Sequence, residues 1–199
     1  MAVTSPCGLL ANGQDVSCVT SIERRYYQQA VVMNRSDVVI DAINVPTAED
    51  PECVYTATFH LKEGKTGYLF AGAENGSVYK GYFDKSVSDL AIPQYIHKVD
   101  MLVVGVQEES KCVLDALSRG SYVVALQIGD TIEIFGLQSG LVVGDFTYDL
   151  AEGGGGATIP LASLEIAPEN RLPFVYKSNT PDSEIADFDA LFANTEPSV

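Results

Sequence analysis

Tryptophan is absent from the 199 residues, histidine occurs only twice, and the four cysteines form no CxxC pair. A structural zinc site needs tighter Cys and His clusters than Cys7, Cys18, Cys53 and Cys112 can make with His60 and His97. No metal or other cofactor is therefore expected. A Cys7–Cys18 disulfide is open to the chain in an oxidising compartment. In a cytoplasm these thiols read as small buried hydrophobes. Basic residues are scarce too: 12 Lys and Arg stand against 27 Asp and Glu, a formal charge of −15. A nucleic-acid reader needs a basic face to displace counterions, so specific DNA binding is not expected. No apolar run approaches the roughly 18–20 residues that span a bilayer, and no membrane partner is expected. Met1–Leu10 has no basic stretch ahead of its short apolar part, a poor signal peptide. The expectation is a soluble protein made in a cytoplasm.

Hydrophobic residues make up 46% of the chain and charged residues 20%, enough apolar material for a real core. Most of the pattern reads as strand. Val54 to Leu61 is rich in β-branched and aromatic residues and nearly alternates. Gly67 to Ala71 and Ser77 to Phe83 are strand-like runs on either side of Asn75-Gly76. An Asn-Gly pair suits the positive φ angles of a type I′ turn. Residues 62–83 thus read as a long hairpin arm carrying Tyr68, Phe70, Tyr79, Tyr82 and Phe83. Ile96 to Val106 is a long strand whose continuously apolar end is expected to be covered on both faces.

One helix is expected over Glu108–Arg119. It opens acidic, closes with Arg119 and stops at Gly120, which suits the C′ position. Val113, Leu114 and Leu117 form its apolar stripe, with Cys112 expected to be buried beside them. Ser121 to Gln127 and Thr131 to Phe135 flank a tight turn. Leu141 to Tyr148 and Ala157 to Leu164 flank the flexible tip Gly153 to Gly156. Residues 1–177 make one β domain, and 178–199 an acidic arm without Lys or Arg. That arm keeps a periodic apolar set, Ile185, Phe188, Leu191 and Phe192, which calls for a groove to dock in.

Catalytic patterns are weak. Gly64-Lys65-Thr66 lacks the glycine a phosphate loop needs five positions earlier, where Phe59 stands. Cys112 and His97 are not an evident nucleophile–base pair, and there is no GxSxG elbow. The carboxylates are spread over turns and a tail rather than paired. The expectation is that the protein is not an enzyme.

The stretch from Ile96 to Leu164 resembles the major tail proteins of phages and prophages of Bacteroides-like hosts. Its matching residues are Leu114, Leu117, Gly120, Tyr122, Val123, Val124, Gly136, Gly140, Leu141 and Glu165. Cys7-Gly8 near the start, and the run Tyr26 to Met33 before Asn34 and Asp37, are similar as well. The polar C-terminal arm departs from the pattern. The resemblance implies a mainly β fold, an antiparallel β-sandwich of tail-tube type with one short flanking helix. Copies of the chain would close into hexameric rings, and rings would stack into a tube in the virion tail. Other tail or head–tail proteins would adjoin it, and DNA would pass during ejection without specific binding. In that setting the 62–83 hairpin, including Asn75 and Gly76, becomes a stacking arm, and Asp100, Glu133 and Asp145 are candidate lumen-facing acids. A reading of another class stays open: a β-sandwich attachment module for a surface or glycan, with an aromatic patch around Tyr26, Tyr27 and Tyr95.

Overall fold

The structure is a computed structural model that describes residues 29–45, 55–71, 79–87, 93–104, 108–128, 131–149, 156–180 and 184–192. Cys7, Cys18, Cys53, Tyr26, Tyr27, Asn75, Gly76 and Gly153 to Gly155 lie outside these residues.

The chain is mainly β, with two sheets. The larger sheet has seven strands. They are β1 (Gln29–Asn34), β2 (Val38–Asn44), β3 (Thr56–Leu61), β4 (Tyr68–Ala71), β7 (Tyr122–Ile128), β8 (Thr131–Phe135) and β11 (Phe174–Tyr176). Their spatial order is β2-β3-β11-β8-β7-β1-β4. The smaller sheet is ordered β5-β6-β10-β9, from β5 (Lys80–Val87), β6 (Pro93–Val104), β9 (Val142–Val143) and β10 (Gly156–Ala162). Pairing is antiparallel except between β11 and β3, where Val175 lies beside Thr56 in a parallel ladder.

Chain connectivity forces the larger sheet to curl. β1 and β2 are joined only by the 3₁₀ turn Arg35–Asp37, yet they stand five strands apart in the sheet. In a flat sheet that separation would be about 24 Å at ~4.8 Å per strand. The four residue steps from Asn34 to Val38 span at most about 14 Å. The sheet therefore wraps around its concave face. Val31, Met33, Phe59, Val123, Ile134 and Phe174 all point into that interior, which is one of two cores. The other core lies between the sheets. There the opposite faces of β1 and β7 (Ala30, Val32, Val124, Leu126) meet Val99 and Met101 of β6 and Ile159 and Leu161 of β10. β1 and β7 serve both cores, so Ala30 to Met33 and Tyr122 to Leu126 run without a polar break, as strands covered on both faces require.

Helix α1 (Glu108–Leu117) matches expectation in place, with Leu114 and Leu117 buried. Cys112 departs from it: the thiol is exposed, because it falls off the stripe made by Leu114 and Leu117. The reason for Gly120 also differs. Its φ is not in the left-handed region, where only Gly64, Gly136 and Gly140 among the described residues lie. A side chain at Gly120 would instead run into the ring of Tyr122. That ring folds back over the helix end, and its hydroxyl donates to the carbonyl of Ala116 (2.7 Å).

A second helix, α2 (Glu184–Asp189), adds to the single flanking helix expected. It settles the groove that the C-terminal apolar set called for. Phe188 is 2% exposed and joins the interior of the curled sheet. Its ring meets Tyr176 and Phe192 edge-on at 5.3 and 5.7 Å. The carbonyl of Leu191 accepts from the Gly67 amide (2.9 Å) and the Thr66 hydroxyl (3.1 Å). Residues 184–192 therefore pack on their own chain.

The hairpin expected over 62–83 is not formed. β4 pairs with β1 (Ala30 opposite Phe70), whereas β5 pairs with β6 (Gly81 opposite Val99), so the two runs belong to different sheets. Burial decides this. Tyr79 is 2% exposed in the inter-sheet core, and its burial pushes the phenol pKa up to about 12. Gly81 lies so close to the rings of that core that a Cβ there would sit 2.5 Å from Phe135. A free-standing 62–83 hairpin would leave those positions empty. The β6 run differs in a related way. His97, Val99, Met101 and Val103 are buried, and Lys98, Asp100 and Leu102 face outward.

Candidate assembly surface

β6 is twelve residues long and shares its length between two partners. Lys98 to Val104 pair with β10, and Pro93 to Asp100 pair with β5. The far half of the β5–β6 hairpin therefore runs on past the end of β10. Phe83 to Val87 are all exposed, with Phe83 at 43% and Val87 at 61%. The Phe83 ring meets Tyr95 across the hairpin at 5.9 Å. Leu164 and Ile166, just past β10, are exposed at 45% and 91%. Large apolar side chains left in water on a projecting hairpin and its neighbour mark a surface suited to a partner.

The outer face of the small sheet carries a charge set in balance. Lys98 Nζ lies 2.5 Å from an Asp84 carboxylate oxygen, and that bond raises the Lys98 pKa. Lys80 and Lys98 place their ammonium groups 4.7 and 5.8 Å from the Tyr82 ring centre. The Tyr82 hydroxyl reaches Asp100 at 3.5 Å. Two lysines and two aspartates leave this face without excess charge. β5 is the outermost strand of the sheet, so its other edge presents main-chain groups with no ladder partner among the described residues.

A cleft of about 470 Å³ opens beside that edge, lined by Gly81, Tyr82, Phe83, Glu133, Phe135, Leu172 and Pro173.

The expected site residues scatter. Tyr82 and Phe83 sit on the hairpin just described. Phe70 packs against the inter-sheet core, Tyr79 is inside it, and Tyr68 is 51% exposed on β4 at the edge of the larger sheet. Asp100 faces outward from the small sheet. Glu133 alternates with Ile132 and Ile134, so it points away from the concave core and into the cleft. Asp145 is exposed in the stretch after β9. Asp100 and Glu133 thus belong to different sheets and do not share a face.

Sequence reading missed a buried polar junction behind the hairpin. Four polar or charged residues are buried among the described residues, and three of them, His97, Ser163 and Glu169, meet there. The His97 amide donates to the Ser163 hydroxyl (2.9 Å), and its ring lies edge-on to Phe135. Glu169 bridges Tyr95 through its main chain and accepts from the amides of Gln138 (3.2 Å) and Ser139 (2.8 Å). Burial raises the Glu169 pKa, against those amides and Arg35, which lower it. Its signal in the sequence was faint: one acid after a proline, within a stretch rich in turn-forming residues.

Elsewhere, the exposed pair His60 and Asp41 is joined at 2.8 Å across β3 and β2. No group of three or more His, Cys, Asp or Glu among the described residues could hold a metal ion. No helix among them is long and apolar enough to cross a membrane. Comparison with protein families, with curated proteins and with solved structures finds no match to this chain.

Proposed function

We propose that this chain is a structural virion protein, the subunit of a phage tail tube whose rings stack into a conduit for DNA. The observation that carries the reading is the β5–β6 hairpin: an open eight-residue edge strand that projects with Phe83 and Val87 in water. A lone edge of that kind invites uncontrolled pairing, and assembly with neighbouring copies removes the liability. The residues that resemble major tail proteins support it in a particular way. Leu114 and Leu117 seat α1, Tyr122 locks the helix end at Gly120, and Gly136 and Gly140 turn the chain with φ of 71° and 83°. They build a fold rather than a chemical site, as expected of a structural subunit.

In a ring, the outer face of the small sheet would suit the conduit wall. Lys80 and Lys98 stand there beside Asp84 and Asp100, so no net positive charge is left to hold phosphates. Asp100 then faces the lumen in balanced company, and Glu133 does not. The protein would reside in the virion tail, with itself and adjoining tail or head–tail proteins as partners.

The double variant Phe83→Ser/Val87→Ser tests this. Sedimentation velocity over a concentration series is expected to show large species for the parent chain and only small ones for the variant. A parent chain that stays monomeric at every concentration would count against the reading. A second reading, an attachment module, draws on the aromatic cleft beside β5. It would instead give a monomer or trimer that retains a surface or glycan ligand.

A further inference from the structure

Most of the contact between the two sheets is apolar, and apolar contact does not respond to pH. The exception is the buried junction at the base of the β5–β6 hairpin. His97 braces it with both ring nitrogens. Nδ1 accepts the Gly136 amide (3.2 Å), and Nε2 donates to the carbonyl of Arg171 (2.9 Å). This pair of bonds requires the neutral ring protonated on Nε2. From the opposite side, segment 168–171 is tied to the 136–140 loop. Ser139 Oγ donates to Pro168 O (3.2 Å), and Glu169 accepts two amides of that loop. Arg35 Nε donates to Gln138 O (3.0 Å). Tyr95 and Glu169 exchange main-chain bonds, both at 2.9 Å. Segment 168–171 is thus the buckle that joins the hairpin base to the larger sheet.

We propose that this junction is a proton-operated latch: a proton taken from solvent onto His97 Nδ1 breaks its bond to the Gly136 amide, a tie between the base of the β5–β6 hairpin and the larger sheet, while Nε2 keeps its bond to Arg171. The lone pair that accepts the Gly136 amide is the one that would receive the proton. Once it is filled, two N–H donors face each other inside a buried site, and the bond is lost. The charged groups around the ring do not offset this. Glu169 is the buried acid of the junction and is already engaged by amides and faced by Arg35. Glu133, on β8, lines the cleft beyond Phe135, and Arg171 offers its carbonyl, its side chain being exposed. On β5, His97 lies opposite Phe83, which carries no charge, and Lys98 points to the other face toward Asp84. Burial pushes the His97 pKa down to about 4, so the latch stays shut at neutral pH and opens in acid. This inference does not depend on the tube reading.

Amide hydrogen exchange on the full chain between pH 7 and pH 4, corrected for intrinsic rates, tests it. Protection at Gly136 is expected to fall roughly tenfold or more relative to Val123 to Leu126 of β7. The variant His97→Gln keeps a donor and an acceptor but does not titrate, and it should lose that pH response. If that variant fails to fold, the ring titration of His97 by NMR in the parent chain replaces it, with His60 as the second ring signal. The His97 titration must then track the loss of Gly136 protection. Unchanged protection at Gly136, loss of all amides in one global step, or a His97 titration unlinked to Gly136 would each overturn the latch.

Discussion

At the residue scale, position rather than residue type sets behaviour. His60 lies exposed against Asp41, while His97 is 1% exposed and braced on both nitrogens. The folded His97 pKa is about 4, against about 6.5 in the unfolded chain. As pH falls through that window, the unfolded state takes up the proton first. Stability is therefore full above about pH 6.5 and declines toward pH 4, by about 3 kcal/mol for the whole shift. Glu169 acts with the opposite sign. Its raised pKa means that the folded state holds its proton more tightly, which favours folding in acid. It offsets part of the histidine effect. Urea unfolding from pH 7 to pH 4.5 should show a falling midpoint in the parent chain, and a flatter profile in His97→Gln. A midpoint that rises on acidification would mean that Glu169 dominates.

At the scale of elements, strand runs were legible wherever burial and alternation agreed. β3, β7, β8 and β10 lie where the periodicity places them, and so does α1. The two-residue connection between β7 and β8, with Ile128 opposite Thr131, follows the tight-turn signal. What the sequence could not give was partnership. β4 and β5 flank an Asn-Gly pair, a strong local hairpin signal, yet they join different sheets because Tyr79 and Gly81 are needed in the inter-sheet core. A local turn signal carries no information about which distant strand offers the better burial. The C-terminal apolar set was legible as a docking motif but not as to its host, which is the interior core of the larger sheet. The candidate surface was half legible: Tyr82 and Phe83 were singled out, and Val87, Leu164 and Ile166 were not, because exposure cannot be read from an isolated apolar residue. For α2, Phe188→Ala removes a ring that meets Tyr176 and Phe192 edge-on in the interior core. It is expected to cost about 3–5 kcal/mol, measured as a lower urea midpoint. A loss under about 1 kcal/mol would show that α2 does not seal that core.

At the scale of the whole molecule, the proposed role is assembly. A formal charge of −15 keeps the free chain soluble. The small sheet nevertheless places Lys80 and Lys98 on an outer face beside Asp84 and Asp100. The larger sheet curls around its own core, where Phe188 of α2 packs, and ends in the edge strands β2 and β4. The smaller sheet stays open at β5, with its hairpin reaching into water. In the proposed tube, neighbouring copies would cover that open β5 edge. The central claim is therefore tested by negative-stain electron microscopy of the purified chain across a concentration series. Rings or stacked tubes of uniform width with a central hole are the expected result. Small monodisperse particles at every concentration, even after addition of preformed tail assemblies as seeds, would contradict it.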